Sequence, residues 1–213
     1  MTQTVIKGIC DKKFQAIADT FQANFDAGLE LGAGFCLMIE GEPVVNLWGG
    51  YKDTDRLTPW TEDTLCPVSS SSKIPVAIVG LMLIDQGLID PDQPVAEYWP
   101  EFAANGKEGI LVRHVFAHSA GLPGFESRPP AKILFDYDHV IHLLEQEAPW
   151  WTPGEKCGYH GYTYGFLVEE LLRRTTGQRM SEYFDKELGA PGTIDFSFGL
   201  KDKDESDRKS TRL

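Results

Sequence analysis

The hydrophobic positions of this 213-residue chain fall into short, well-separated patterns. Over 14–31, Phe14, Ile17, Ala18, Phe21 and Phe25 recur at the i, i+3, i+4 spacing of one buried helical stripe. Residues 33–39 form a short apolar run that suits a buried strand. Glu40-Gly41-Glu42-Pro43 follows as a turn and 44–48 reads as a second strand, so the pair predicts a hairpin. Helical spacing returns over 74–88, with Gly87 placed to cap that helix and Pro91 to stop any continuation. Further helices are predicted over 112–118, 138–147, 163–175 (closed by Gly177) and 181–188. The charged stretch 201–213, "KDKDESDRKSTRL", has no periodicity and reads as a solvated tail. No convincing strand follows the hairpin. Two strands alone are marginal and need another strand or a helix against them.

Composition narrows the class. A hydrophobic fraction of 42% and five tryptophans argue for a globular fold. The net charge of -12 argues against a nucleic-acid partner, because phosphate binding needs a basic face. No apolar run is long enough to span a bilayer, and 1–13 lacks the apolar stretch of a secretory leader. Cys10, Cys36, Cys66 and Cys157 are widely spaced with no C-x-x-C, so neither a zinc site nor a disulfide framework is indicated. Free thiols in a reducing cytoplasm are the expectation. His139 and His142 stand three apart on a predicted helix but have no third ligand, so no metal and no cofactor are expected.

The run "CPVSSSSKIPVAIVGL" raises a chemical question. Ser70 stands three residues before Lys73, and on a helix that spacing puts both side chains on one face. Serine is a weak nucleophile until a base takes its proton. A lysine can do so only when uncharged, and a free lysine has a pKa of about 10.4. Base duty therefore asks for burial and nearby positive charge. S-x-x-K alone is a weak pattern: it recurs at Ser206 and Lys209 in the charged tail, and serines at helix starts commonly serve as N-caps. Pro75 complicates the placement. A helix beginning at Ser70 would leave the Ser71 carbonyl without its usual partner, whereas a start near Ser72 would move Ser70 off the first turn.

The company the motif keeps is more specific. "SSSSKIPVAIVGLMLIDQGLIDPDQPVAEYWPEF", "VRHVFAHSAGLPGF" and "PGEKCGYHGYTYGFLVEELLRRTTGQ" occur in that order. This ordered set resembles the serine β-lactamase-related family, which takes in class C β-lactamases, penicillin-binding DD-peptidases and the esterases that share their fold. The esterase-like branch is the nearer likeness. The resemblance runs from about Gly8 to Leu200. It implies an α+β, β-lactamase/DD-peptidase-like fold and a serine hydrolase acting through an acyl-Ser70 intermediate on an ester or cyclic amide. Lys73 would be the general base and Tyr159, from the family's Y-x-N motif, the proton shuttle. Gly161 stands where asparagine is common, which removes an amide and suits the esterase-like branch. By the same resemblance His118 shapes its loop, while His160 reads as a satisfied loop histidine and Trp150 and Trp151 as packing or pocket wall. The G-x-S-x-G elbow of α/β-hydrolases is absent.

One family element has no counterpart. The K-T-G or H-x-G strand that completes the pocket is not found after Tyr159. Residues 1–200 thus read as an incomplete domain, with 8–65 its N-terminal helix and hairpin, 66–200 its helical part, and three C-terminal strands missing. Losing one oxyanion donor costs about 10²–10³ in rate. Open hairpin edges also invite self-association. The competing expectation is a catalytically impaired pseudo-enzyme that serves as a binding or assembly module.

Overall fold

The computed structural model describes residues 4–189 and 194–199. Two compact units emerge, one within Met1–Pro67 and the other over Val68–Gly199. The predicted tail over 201–213, with Ser206 and Lys209, lies outside the described residues.

The first unit joins strands β1 (Lys7–Cys10), β2 (Gly32–Ile39) and β3 (Glu42–Gly50) to helix α1 (Gln15–Asp26). The predicted hairpin forms as β2 and β3. Glu40 and Gly41 turn it with φ of 51° and 85°, the paired positive values of a two-residue hairpin turn. It does not stand as two strands. β1 pairs antiparallel with β3, so β3 is the central strand in the order β1-β3-β2. The expectation missed β1 because it is four residues long and mostly exposed, with no alternating pattern to betray it. Ala18 of α1 meets Val45 and Leu47 of β3 in the core, with Phe14, Ile17 and Phe21 packed around them. α1 ends well short of residue 31. Gly28 adopts φ 70° and Leu29 N–H closes back onto Asn24 O at 2.9 Å, a glycine cap that turns the chain out of the helix.

The second unit is helical. It contains α2 (Lys73–Asp85), α3 (Val112–Phe116), α4 (Tyr137–Gln146), α5 (Thr163–Thr176) and α6 (Met180–Phe184). α5 packs against α2, α3, α4 and α6, and its Leu167, Val168, Leu171 and Leu172 are fully enclosed. The predicted caps hold. Gly87 (φ 69°) and Gly177 (φ 75°) take left-handed backbone after α2 and α5. The helix expected over 181–188 is instead α6 followed by a π turn at Asp185–Gly189.

Two buried charges organise this unit. Lys107 is enclosed and donates to the carbonyls of Ala104, Glu145 and Glu147, at 2.6, 2.9 and 2.5 Å, thereby capping the C-terminal end of α4. Glu170 is enclosed on α5 and accepts from Tyr137, Arg173 and Arg174, with two arginines compensating one carboxylate. α2 differs from the other long helices in being apolar on all sides. Val76, Val79 and Leu83 are buried, yet Ile74 and Leu81 stay 65% and 64% exposed.

Candidate active site

The serine run resolves the Pro75 conflict in a way neither expected helix start anticipated. Ser69–Ser72 is a 3-10 turn, and α2 begins at Lys73. Pro75 is then the third residue of α2, in the first turn, where its missing N–H costs no helical bond. A 3-10 turn has three residues per turn, so residues i and i+3 eclipse and Ser70 stays in line with Lys73. The turn is entered through Ser69 at φ 45°, a left-handed backbone that a non-glycine residue rarely takes.

Lys73 Nζ lies 3.5 Å from Ser70 Oγ. Tyr159, reached by the loop before α5, donates its phenol hydrogen to Ser70 Oγ at 2.6 Å. Lys73 Nζ also sits 4.9 Å from the Tyr159 ring centre, over its face. All three residues expected from the sequence thus converge on one oxygen. The Tyr159 phenol is held below the ordinary tyrosine range, first by its hydrogen bond to Ser70 and then by Lys73. Burial instead raises the nearby Tyr164 phenol, so the two tyrosines part in acidity by environment alone.

Gly161, where the expected asparagine is absent, contributes something a side-chain reading could not supply. Its main-chain carbonyl accepts from Lys73 Nζ at 2.9 Å. His118 and His160 surround the same loop. His160 N–H donates to His118 Nδ1 at 3.1 Å, and Gly158 N–H donates to His118 O at 3.0 Å. The tip of the Trp151 ring abuts Gly158, so close that a Cβ there would come within 2.4 Å of it. Trp150 instead donates its indole N–H to Glu147 at 2.9 Å and stands half open to solvent. His139 and His142 are exposed on α4, and His142 lies 3.6 Å from Glu145. Among the described residues no group of three metal-ligating side chains gathers. Cys10, Cys36, Cys66 and Cys157 are unpaired, and no helix among the described residues is long and apolar enough to cross a membrane.

A family model described as Beta-lactamase matches residues 21–212. The chain belongs to that family. Its relatives include the esterase/beta-lactamase LipL of Mycobacterium tuberculosis (strain ATCC 25618 / H37Rv), 37% identical over 187 residues that cover 86% of this chain and 42% of LipL. A solved penicillin-binding protein homologue from Caulobacter crescentus superposes with a TM-score of 0.91 and 38% identity over 95% of this chain and 55% of that one. A family VIII carboxylesterase superposes with a TM-score of 0.87 and 39% identity over 95% of this chain and 56% of that one. The chain therefore spans about half the length of these beta-lactamase-family relatives. The α+β fold expected from the motifs is the fold of the family, and the family's serine-hydrolase, esterase-like character is the coarse function that the similarity supports.

Proposed function

We propose that Ser70 is the nucleophile of an acyl-transfer hydrolase that cleaves esters, or a cyclic amide, through an acyl-enzyme. The observation that carries this reading is the convergence of Tyr159 Oη at 2.6 Å and Lys73 Nζ at 3.5 Å on Ser70 Oγ. Lys73 as general base and Tyr159 as shuttle hold one proton between them, which belongs to the pair rather than to either group. Ser70 Oγ attacks the acyl carbon as its own proton passes to this pair. The pair then protonates the departing oxygen (or amide nitrogen) as its bond to the acyl carbon breaks. Water next repeats the sequence in reverse, releasing the acid and restoring Ser70. The Ser70 backbone N–H at the head of the turn serves as one donor to the oxyanion, and the second is assigned to the part of the domain that lies beyond this helical half. Incubation with a fluorophosphonate, followed by peptide mass spectrometry, should place the adduct on Ser70 and lose it in Ser70→Ala. An unlabelled Ser70, in this chain and in one extended to its relatives' length, refutes the proposal.

A second reading, a binding or assembly module without turnover, is favoured by the open apolar surface. β2 is an edge strand carrying Phe35, Met38 and Ile39 in exposed positions, and α2 exposes Ile74, Ile78 and Leu81. A helix apolar on all sides belongs in the interior of something larger, and an unpaired strand edge templates further pairing. This reading expects self-association in sedimentation and no ester burst. A stable monomer that turns over a short-chain ester removes it.

A further inference from the structure

We infer that His118 and His160 form a clamp that works only while both rings are neutral, and that they are positioning residues for Tyr159. The inference rests on the acyl-enzyme reading of Ser70 for its kinetic consequence, and on hydrogen-bond geometry for itself.

The main chain on either side of Tyr159 is held by these two residues. Gly158 N–H donates to His118 O at 3.0 Å, and His160 N–H donates to His118 Nδ1 at 3.1 Å. The His160 ring turns back to Gly158 O, 2.5 Å from Nδ1, while its Nε2 accepts from Leu122 N–H at 3.0 Å. Main-chain N–H groups can only donate, so each contact dictates where the ring proton sits. His118 accepts at Nδ1 and must carry its proton on Nε2. His160 accepts at Nε2 and must carry its proton on Nδ1, from which it donates to Gly158 O. The two rings are opposite tautomers of the neutral imidazole, each set by the bond the other nitrogen makes. His118 is itself held at φ 56° and lies 5.2 Å from the Tyr159 ring and 4.8 Å from Tyr164. Trp151 meets the His160 ring edge-on at 6.1 Å.

A second proton on either ring turns an acceptor into a donor that faces another donor. The His160 N–H or the Leu122 N–H then loses its partner, and the segment bearing Tyr159 is released from one side. The charged and titratable groups around the pair oppose that proton. Burial, then Lys73 of α2, depresses His118. Burial depresses His160, with the Gly158 carbonyl working against it and His118 reinforcing it. The ionisable rings of Tyr159 and, on α5, Tyr164 pack against His118. The sign follows. With both folded-state values below the ordinary histidine value, the clamp is complete above that value and is lost as pH falls through the lowered ones.

Asparagine at 118 can present its amide oxygen near the Nδ1 position without titrating. His118→Asn should therefore label at Ser70 with a fluorophosphonate at close to the parent rate in mildly alkaline buffer, and its acidic inflection should lose the His118 contribution, leaving only those of His160 and Tyr159. His118→Ala should lose about 10²-fold above the ordinary histidine value, as a displaced catalytic group does, with the probe's binding constant little changed, and the gap should close at acidic pH where the parent's own clamp is lost. Nitrogen chemical shifts of the parent's imidazoles should show the Nε2–H tautomer for His118 and the Nδ1–H tautomer for His160. The reverse tautomer at either ring overturns the inference, and so does an unaltered acidic inflection in His118→Asn. A parent that never labels at Ser70 overturns the hydrolase reading instead. The tautomers, together with a shift of the Tyr159 ring resonance on acidification that is smaller in His118→Asn, then decide the clamp on their own.

Discussion

Tyr159 Oη lies 2.6 Å from Ser70 Oγ although 89 positions separate the two residues in the chain. A phenol and an alcohol held so closely form a short hydrogen bond, and the lysine over the ring face favours the phenolate. Tyr159→Phe removes the phenol while keeping the ring against His118. Because Tyr159 is 58% exposed, the loss should fall on chemistry rather than on stability. Acylation of Ser70 should slow by about 10²–10⁴-fold, the usual worth of a positioned acid or base, with an unchanged melting temperature. Stopped-flow ester kinetics and calorimetry on the same sample would check both halves.

The depressed Tyr159 phenol should be visible directly. Of the chain's seven tyrosines, Tyr159 should ionise at lower pH than a free phenol, and Tyr137 and Tyr164 at higher pH. Since the Ser70 hydrogen bond is the largest cause, Ser70→Ala should move the early phenolate absorbance step to higher pH, and Lys73→Met should do so as well. Activity that depends on the phenolate should rise with pH through this lowered value. A pH titration at 295 nm that leaves the step in place in both variants contradicts the assignment.

Two glycines flank Tyr159 closely, and only one of them should resist a side chain. At Gly158 a Cβ would meet Trp151 Cη2 at 2.4 Å, so Gly158→Ala must displace the indole or the loop, at a cost of about 1–3 kcal/mol. At Gly161 the nearest atom to a Cβ is Tyr159 Cε1, at an ordinary 3.7 Å, so Gly161→Ala should melt with the parent. Thermal melts of the pair decide this, and equal losses would mean that the close approach is not what demands glycine.

Lys107 is the buried group with most to lose. Lys107→Met keeps the volume but strips three carbonyls of their donor, two at the end of α4 and that of Ala104. The expected loss is about 3 kcal/mol, the cost of buried acceptors left without a charged partner. Glu147, whose carboxylate holds Glu126 N–H and the Trp150 indole, should loosen with it. Urea unfolding would measure the first effect, and tryptophan emission shifted to the red would report the second.

The features legible in the chain alone are local ones. Helix positions follow from the 3.6-residue period, and the ends of α2 and α5 from glycines free to take positive φ. The proximity of Ser70 to Lys73 follows from a spacing of three. The order of motifs was enough to reach the family, because each motif is a contiguous string. Tertiary structure decided the rest. It brought Tyr159 onto Ser70, used the Gly161 carbonyl as the partner of Lys73, laid Trp151 on Gly158, and added β1 to a hairpin that looked two-stranded. Tyr159 was reached through its motif, but the other three had no signal in the chain, and the cause is physical. A main-chain carbonyl, a missing Cβ and a four-residue exposed strand have no side-chain pattern of their own, and their partners are chosen only when distant segments pack.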